Sequence, residues 1–190
     1  MRAVELLDPK PEERIADFCA APGGKAVYIA QRMNNTGALL AADNNPVRLE
    51  KLDQNLRRLG VSNASIKRLN LLREENVMGN TEWDGILLDV PCSNTGVLRR
   101  RVDARWRIKA DDITRLAKQG RELLAAAAHL IRPGGRIVYS TCSLEPEENR
   151  EAVRLFLEGN TAFKLIKEEL SPPKEYQGDG YYCALINHVQ

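Results

Sequence analysis

The chain has 190 residues, of which 43% are hydrophobic, and this suits one globular domain with a substantial core. The net charge of +2 is too small to identify a nucleic-acid partner by itself. No apolar run approaches the roughly 20 residues of a bilayer-spanning helix, and the first residues lack a signal-peptide pattern. The four cysteines show no paired short spacing, which argues against a zinc site or any other metal centre. We therefore expect a cytoplasmic protein with free thiols and no membrane partner.

In chain order, short apolar runs alternate with amphipathic helical patterns. Strands are predicted over 14–18, 38–42, 64–69, 83–89, 136–142, 163–166 and 181–186, and helices over 25–33, 46–59, 111–131 and 145–159. This alternation predicts a doubly wound α/β fold, with a mostly parallel sheet and helices on both faces. The last two strands have no helix between them, so the final strand is expected to run antiparallel. Residues 93–109 are too polar to be predicted as an element.

A glycine-rich turn joins the first strand to the first helix, with the sequence Asp17-Phe18-Cys19-Ala20-Ala21-Pro22-Gly23-Gly24-Lys25. Small residues let a ligand approach the backbone, and the following helix offers free N–H groups. A P-loop is excluded because Ala26 stands where Ser or Thr would bind magnesium, and the G-x-G-x-x-G fingerprint is absent. Asp43 ends the second strand, where a carboxylate can accept ribose hydroxyls; its alternative role is a helix cap. The pattern predicts S-adenosylmethionine as cofactor.

Two cysteines follow apolar strands, in Asp89-Val90-Pro91-Cys92-Ser93 and in Ser140-Thr141-Cys142-Ser143. Thiols at the carboxyl ends of strands face the crevice where α/β proteins bind their ligands. The pair predicts nucleophilic chemistry with two distinct sulfur roles. The alternative is two small buried thiols in a reduced protein, because free cysteine is commonly buried.

These segments resemble those of the Sun family of RNA (cytosine carbon-5) methyltransferases, over nearly the whole chain. The resemblance includes the cofactor loop, both cysteine segments, the run Glu145-Pro146-Glu147-Glu148-Asn149 and the terminal Asp179-Gly180-Tyr181-Tyr182. It implies a Rossmann-like class I methyltransferase fold with a seven-stranded sheet, S-adenosylmethionine as methyl donor and an RNA substrate. Ribosomal RNA is favoured, and transfer RNA is the alternative. Ala26 and Asn70 depart from the family pattern, which usually has Thr and Asp there.

The resemblance also implies a domain organisation. Residues 1–190 are expected to form one methyltransferase domain that lacks the family's amino-terminal RNA-binding portion. A separate RNA-binding domain or protein is therefore an expected partner. A competing hypothesis is a catalytically reduced RNA- or protein-binding module that retains the fold. A third, an amino-group methyltransferase, usually shows an Asn/Asp-Pro-Pro-aromatic strand end instead of the segment that carries Cys92.

By resemblance, Cys142 is the nucleophile that adds to carbon 6 of cytosine, and Cys92 assists release of the product. The residues alone leave this order open, because DNA cytosine methyltransferases attack with the cysteine of a Pro-Cys motif, which would nominate Cys92. Asp89 is expected to hydrogen-bond the cytosine, or else to brace its loop. Lys25 is expected to lower a thiol pKa, or else to be a solvated helix residue. The predicted cofactor-binding residues are Cys19, Ala20, Ala21, Pro22, Gly23, Gly24, Lys25, Asp43, Asn70 and Asp89.

The polar segment after Cys92 is rich in arginine. Its predicted phosphate-binding residues are Arg99, Arg100, Arg101 and Arg105, and the alternative is an ordinary solvated charge run. Trp106 is a candidate for stacking on a base, although a lone Trp in a loop more often anchors that loop to the core. Cys19 and Cys183 are expected to have side chains that pack and do not react.

Overall fold

Seven strands form one sheet in the computed structural model, which describes residues 1–74, 82–173 and 178–189. The strands are β1 (Arg14–Phe18), β2 (Ala38–Asp43), β3 (Ala64–Arg68), β4 (Trp83–Asp89), β5 (Ile131–Thr141), β6 (Phe163–Ser171) and β7 (Tyr181–His188). Their order across the sheet is β3-β2-β1-β4-β5-β7-β6. Within the described residues, β7 alone runs opposite to the other six strands, so its pairs with β5 and β6 are antiparallel and the remaining pairs are parallel. The predicted mostly parallel sheet with an antiparallel last strand is confirmed.

Helices cover both faces of this sheet. They are α1 (Arg2–Leu7), α2 (Gly24–Arg32), α3 (Pro46–Arg58), α4 (Leu71–Glu74), α5 (Ala104–Arg107), α6 (Ala110–Ala128) and α7 (Arg150–Gly159), with a 3₁₀ turn at Thr95–Val97. Side chains alternate along each strand: Ile86 and Leu88 pack towards α6 and α7, whereas Leu87 packs towards α1, α2 and α3. Alternation on a strand with apolar residues on both faces is typical of a sheet buried between two helical layers.

The boundary between α6 and β5 corrects the sequence prediction. The helix ends at Ala128, three residues before the predicted Ile131, and Ile131 already pairs with Trp83 on β4. Residues 132–135, which we expected to close the helix, lie within β5 as a bulge opposite the single residue Asp84. An Arg-Pro-Gly-Gly run is a common helix stop, but here the cross-strand pairs on either side of it extend the strand.

The start of α7 is a second correction. The helix begins at Arg150, whereas acidic residues from Glu145 onward had suggested an earlier start. Residues 145–149 form a turn because Glu148 and Asn149 have buried side chains that bond to the strand ends. Asn149 has the non-helical angles φ −109° and ψ −105°.

Several short elements escaped prediction. These are α1, α4, α5 and the 3₁₀ turn, so the prediction that 93–109 contains no element was wrong. Residues 174–177, in the loop predicted between the last two strands, lie outside the described residues. Among the described helices, none has both the length and the apolar composition to cross a membrane.

Pairing in register brings four strand ends to one edge of the sheet. Phe18 lies opposite Ala42 and Leu88, and Asp89 lies opposite Ser140. Since β1, β2, β4 and β5 are parallel, the residues that follow them share one crevice at their carboxyl ends. The cofactor loop and both cysteine segments therefore lie side by side.

Candidate active site

A cavity of about 520 Å³ opens at this edge of the sheet. Its volume lies within the roughly 300–1,000 Å³ that small-molecule sites occupy. The predicted site residues that line it are Cys19, Ala21, Pro22, Asp43, Asn70, Asp89, Cys92, Arg101 and Cys142. Four predicted cofactor residues, Ala20, Gly23, Gly24 and Lys25, are not part of its lining and contribute to the surrounding loop and helix.

Asp43 lies at one end of the cavity and is only 3% exposed. Its Oδ2 accepts a hydrogen bond from the Ala21 N–H at 3.3 Å and lies 3.4 Å from Nη2 of Arg48. The same Arg48 nitrogen donates to the Ala21 carbonyl at 2.6 Å. Segment 43–46 also caps helix α3, as the alternative interpretation expected: the Asn45 side chain accepts from the Arg48 N–H, and Oδ1 of Asp43 accepts from the Asn45 N–H at 3.0 Å. Arg48, which sequence reasoning missed, thus joins Asp43 to the cofactor loop.

The cofactor loop turns sharply into α2 at Gly23. This residue has φ +107°, and a Cβ atom on it would lie 2.8 Å from Cδ1 of Leu52. The turn therefore needs glycine both for its backbone angle and for its close packing on α3. Asn55 fixes the loop from the same helix by donating to the Pro22 carbonyl at 2.9 Å.

The two predicted catalytic sulfurs are in contact. Sγ of Cys92 lies 3.3 Å from Sγ of Cys142, and the Cys142 thiol can donate to Oδ1 of Asn94 at 3.0 Å. The hydrogen bond from Cys92 lowers the pKa of Cys142, and the charge of Lys25 lowers it further, against burial and the charge of Asp89. The same bond, followed by burial, raises the pKa of Cys92. Of the two thiols, Cys142 is therefore the more acidic.

Lys25 points from α2 to the end of β4. Its Nζ lies 2.6 Å from Oδ2 of Asp89, and Oδ1 of the same carboxylate accepts from the Ser140 hydroxyl at 2.8 Å. Burial lowers the pKa of Lys25, but the charge and hydrogen bond of Asp89 outweigh it, so the pKa is raised overall. Lys25 is therefore held as a cation in its pair with Asp89, whose charge opposes the effect of Lys25 on the pKa of Cys142, so a role of Lys25 towards a thiol stays a prediction.

A buried carboxylate joins the residues that follow the two cysteines. Oε1 and Oε2 of Glu148 accept from the Ser93 N–H at 2.8 Å and the Ser93 hydroxyl at 2.5 Å. The Ser93 and Ser143 hydroxyls are 3.0 Å apart. Ser93, Ser143 and Glu148, here named the Glu148 clamp, are at most 1% exposed. All three residues belong to the sequence motifs described above, but no local pattern in the sequence connects them.

Asn149 adds a second buried connection. The Thr141 hydroxyl donates to its Oδ1 at 2.5 Å, and its Nδ2 donates to the Ser143 carbonyl at 2.9 Å. The turn before α7 therefore holds both sides of Cys142. The run of Glu and Asn after the second cysteine is the sequence signal that could have suggested this.

Two glycines attach the 3₁₀ turn to the terminal strand. Gly180 N–H donates to the Gly96 carbonyl at 2.8 Å, and Gly96 N–H donates to the Cys142 carbonyl at 3.0 Å. A Cβ on Gly96 would lie 2.7 Å from the Gly180 oxygen and 2.9 Å from the Cys142 oxygen. The terminal motif thus contacts the backbone of the second cysteine segment.

The four predicted RNA-binding arginines divide into two pairs. Arg99 and Arg100 lie 3.2 and 2.9 Å from the carboxylate of Asp179. Arg101 lines the cavity, and Arg105 lies on α5. Neither Arg101 nor Arg105 has an acidic partner in the described part of the chain.

Three other titratable groups, Asp17, Cys19 and Cys183, have raised pKa values. Asp17 is fully buried, without a hydrogen-bond partner among the described residues, and burial, then the charge of Asp89, raise its pKa well above the usual range. Burial also raises the pKa of Cys19 to about 12 and that of Cys183 to about 11. Their raised pKa values suit the packing roles expected for both side chains.

Comparisons with known proteins find similarity to ribosomal RNA methyltransferases. The family model described as 16S rRNA methyltransferase RsmB/F matches residues 4–187. Ribosomal RNA small subunit methyltransferase B of Proteus mirabilis is 39% identical over 186 residues, which cover 98% of this chain and 44% of that protein. The Klebsiella pneumoniae protein of the same name is 40% identical over 190 residues, with 96% and 44% covered. The chain spans 44% of the length of these curated relatives.

Solved structures agree with this similarity. PH0851 superposes with a TM-score of 0.93 at 33% identity, covering 97% of this chain and 44% of its own. NSun6 from Pyrococcus horikoshii, solved with SFG, superposes with a TM-score of 0.90 at 31% identity, covering 99% and 51%.

Proposed function

Because the chain belongs to the 16S rRNA methyltransferase RsmB/F family, we propose that it methylates carbon 5 of a cytosine in RNA, with S-adenosylmethionine as methyl donor. Ribosomal RNA is the favoured substrate, since the curated relatives are named for it, and transfer RNA is the alternative. The observation that carries the proposal is the pair of sulfurs 3.3 Å apart on the wall of the cavity.

The cavity suits the proposed cofactor. The buried carboxylate of Asp43 faces it and can accept the ribose hydroxyls, while Asn70 lies on the wall where the adenine would be held. The small residues of the cofactor loop leave backbone N–H groups near the start of α2 for the carboxylate of the methionine part. When bound, S-adenosylmethionine supplies an electrophilic methyl group.

The proposed reaction begins at Cys142. Its thiolate adds to carbon 6 of cytosine, which makes carbon 5 nucleophilic enough to take the methyl group. Asp89, fixed by Lys25 and Ser140, accepts a hydrogen bond from the cytosine amino group and so orients the ring. After transfer, the proton on carbon 5 passes to water, its electron pair re-forms the double bond between carbons 5 and 6, the carbon–sulfur bond breaks and Cys142 is released as thiolate. Cys92 touches Cys142, and its thiol is placed to donate a hydrogen bond to the departing sulfur and so assist this last step.

The proposal extends to the setting of the enzyme. We expect residues 1–190 to form one catalytic domain, and a separate RNA-binding domain or protein to add contacts to the substrate. All four cysteines are free thiols, which suits a reducing compartment such as the cytoplasm.

Trapping of a covalent adduct tests this proposal. Cys92→Ala protein made in cells should run on a denaturing gel as a protein–RNA adduct that nuclease removes. A further Cys142→Ala substitution should abolish the adduct, and Cys183→Ala, which removes a buried thiol elsewhere, should change nothing. An adduct formed by Cys142→Ala protein alone would assign the attack to Cys92. A Cys92→Ala protein that binds S-adenosylmethionine in calorimetry but forms no adduct would contradict the proposed chemistry.

A further inference from the structure

Trp106 on α5 is 81% exposed, which is unusual for the largest side chain. The chain has two tryptophans, and the other, Trp83, is 5% exposed beneath the guanidinium of Arg14. Helix α5 is anchored to the protein by Ala104, which is 8% exposed, so Trp106 does not anchor its segment. Val102, in the turn that precedes α5, is 61% exposed as well. Segment 101–106 therefore presents apolar side chains to solvent.

The arginines in and next to this segment differ in whether an acidic side chain pairs with them. Arg107 lies 3.0 Å from Asp103, whereas Arg101 and Arg105 have no acidic partner in the described residues. Arg101 also lines the cavity that holds both cysteines. An exposed indole in the same short segment as two guanidinium groups without acidic partners is complementary to a base and its neighbouring phosphates. A protein partner would be expected to match the exposed apolar side chains with less need for these two charges.

We propose that segment 101–106 is a platform for an unpaired nucleotide beside the target cytosine, with Trp106 stacking on its base and Arg101 and Arg105 contacting phosphates. A base inside a duplex is already stacked on both faces and cannot offer one to Trp106. The platform rests on the proposed function and deepens it, because it selects RNA that is single-stranded around its target.

Tryptophan fluorescence tests the platform directly. The probe is a short single-stranded RNA with a central cytidine, compared with the same strand annealed to its complement. The single strand should quench the fluorescence of the unmodified protein, and Trp106→Phe should still bind RNA but lose the quenching, because Trp83 is buried. Trp106→Ala should weaken binding of the single strand by about 5- to 150-fold. Equal quenching by the duplex, or unchanged affinity of Trp106→Ala, would overturn the platform.

Matched variants separate stacking from general charge. Arg105→Gln and Arg57→Gln each remove one exposed cation, but Arg57 lies on α3 and is paired with Asp53. Only Arg105→Gln should reduce the salt dependence of RNA binding. If both variants behave alike, the segment does not contact the phosphates and the platform is wrong.

The platform and the proposed function can fail separately. Cys92→Ala/Trp106→Ala protein should form the covalent adduct at saturating RNA but need a higher RNA concentration than Cys92→Ala. An unchanged RNA requirement would refute the platform and leave the chemistry standing. Quenching by the single strand without any adduct from Cys92→Ala would refute the chemistry and leave the platform standing.

Discussion

The Glu148 clamp, which lies directly behind the two cysteines of the cavity wall, and segment 101–106, whose Arg101 lines the cavity, are built in opposite ways. In the Glu148 clamp every side chain is at most 1% exposed and is hydrogen-bonded to another, whereas in segment 101–106 Trp106 and Val102 are more than half exposed. Bond formation at a sulfur requires placement within a fraction of an ångström, which buried hydrogen bonds provide. Attraction of a phosphate backbone acts over roughly 8–10 Å and tolerates motion. The comparison predicts that substitutions in the clamp act on folding and rate, and those in the segment on binding.

Glu148→Ala should have the largest effect. It leaves the buried N–H of Ser93 without an acceptor and removes one of the two hydrogen-bond partners of the Ser93 hydroxyl, at a cost of about 2–4 kcal/mol in the free energy of unfolding. Urea unfolding measures this cost, with Glu147→Ala as the control because Glu147 is exposed in the same turn. Equal stabilities for the two variants would show that the clamp does not support the fold.

Gly96→Ala tests whether the terminal strand supports the clamp region. The new Cβ would lie 2.7 Å from the carbonyl oxygen of Gly180, so backbone must move, at a cost of about 1–3 kcal/mol. Gly159→Ala is the control, because no atom lies within 4 Å of its Cβ position. Thermal unfolding of both proteins should separate them, and similar midpoints would show that the Gly96 contact is relaxed at little cost.

The sulfur pair predicts a specific pH dependence. Because the hydrogen bond from Cys92 favours the Cys142 thiolate, Cys92→Ala should raise the pKa of Cys142 and move its alkylation profile to higher pH. Iodoacetamide labelling read by mass spectrometry measures this profile. Cys19 and Cys183, with pKa values of about 12 and 11, serve as unreactive internal controls below pH 9. A profile that stays in place or moves to lower pH would contradict the assigned direction of the hydrogen bond.

The smallest expected effects lie among the arginines. Arg101→Gln should weaken RNA binding a few-fold and reduce the slope of log affinity against log salt by about 0.9, the value for one phosphate contact. Arg99→Gln should change the slope less, because Arg99 already pairs with Asp179. Filter binding at several salt concentrations compares them, and a larger slope change for Arg99→Gln would reverse the division of the arginines.

The sheet was predictable because its signals are local. Apolar runs such as 85–88 end at turn-forming residues, and the parallel order follows from the alternation with helices. The start of β5 was missed because a Pro-Gly-Gly run resembles a helix stop and its pairing with β4 is invisible in the sequence. Helix α5 was missed because its four residues, Ala104–Arg107, make a single turn, which is too short to show an apolar periodicity.

For the site, the sequence predicts which residues follow the strand ends but not how their side chains contact one another. Both cysteines, Asp43 and Asp89 were expected at one edge and are found around one cavity. The contact between the sulfurs and the buried position of Glu148 depend on residues about 50 apart in the chain. Local pattern contains no information on such packing, so the clamp appears only in three dimensions.

The pairing of Asp89 with Ser140 has an evolutionary consequence. It places Cys92 and Cys142 just beyond the ends of two neighbouring parallel strands, with their Sγ atoms 3.3 Å apart. Since either sulfur can donate the hydrogen bond between them, an exchange of the roles proposed for Cys142 and Cys92 requires a reversal of that bond and no change in the strands. Lineages that attack cytosine with a sulfur from either segment can therefore share one scaffold and differ in the position of a proton.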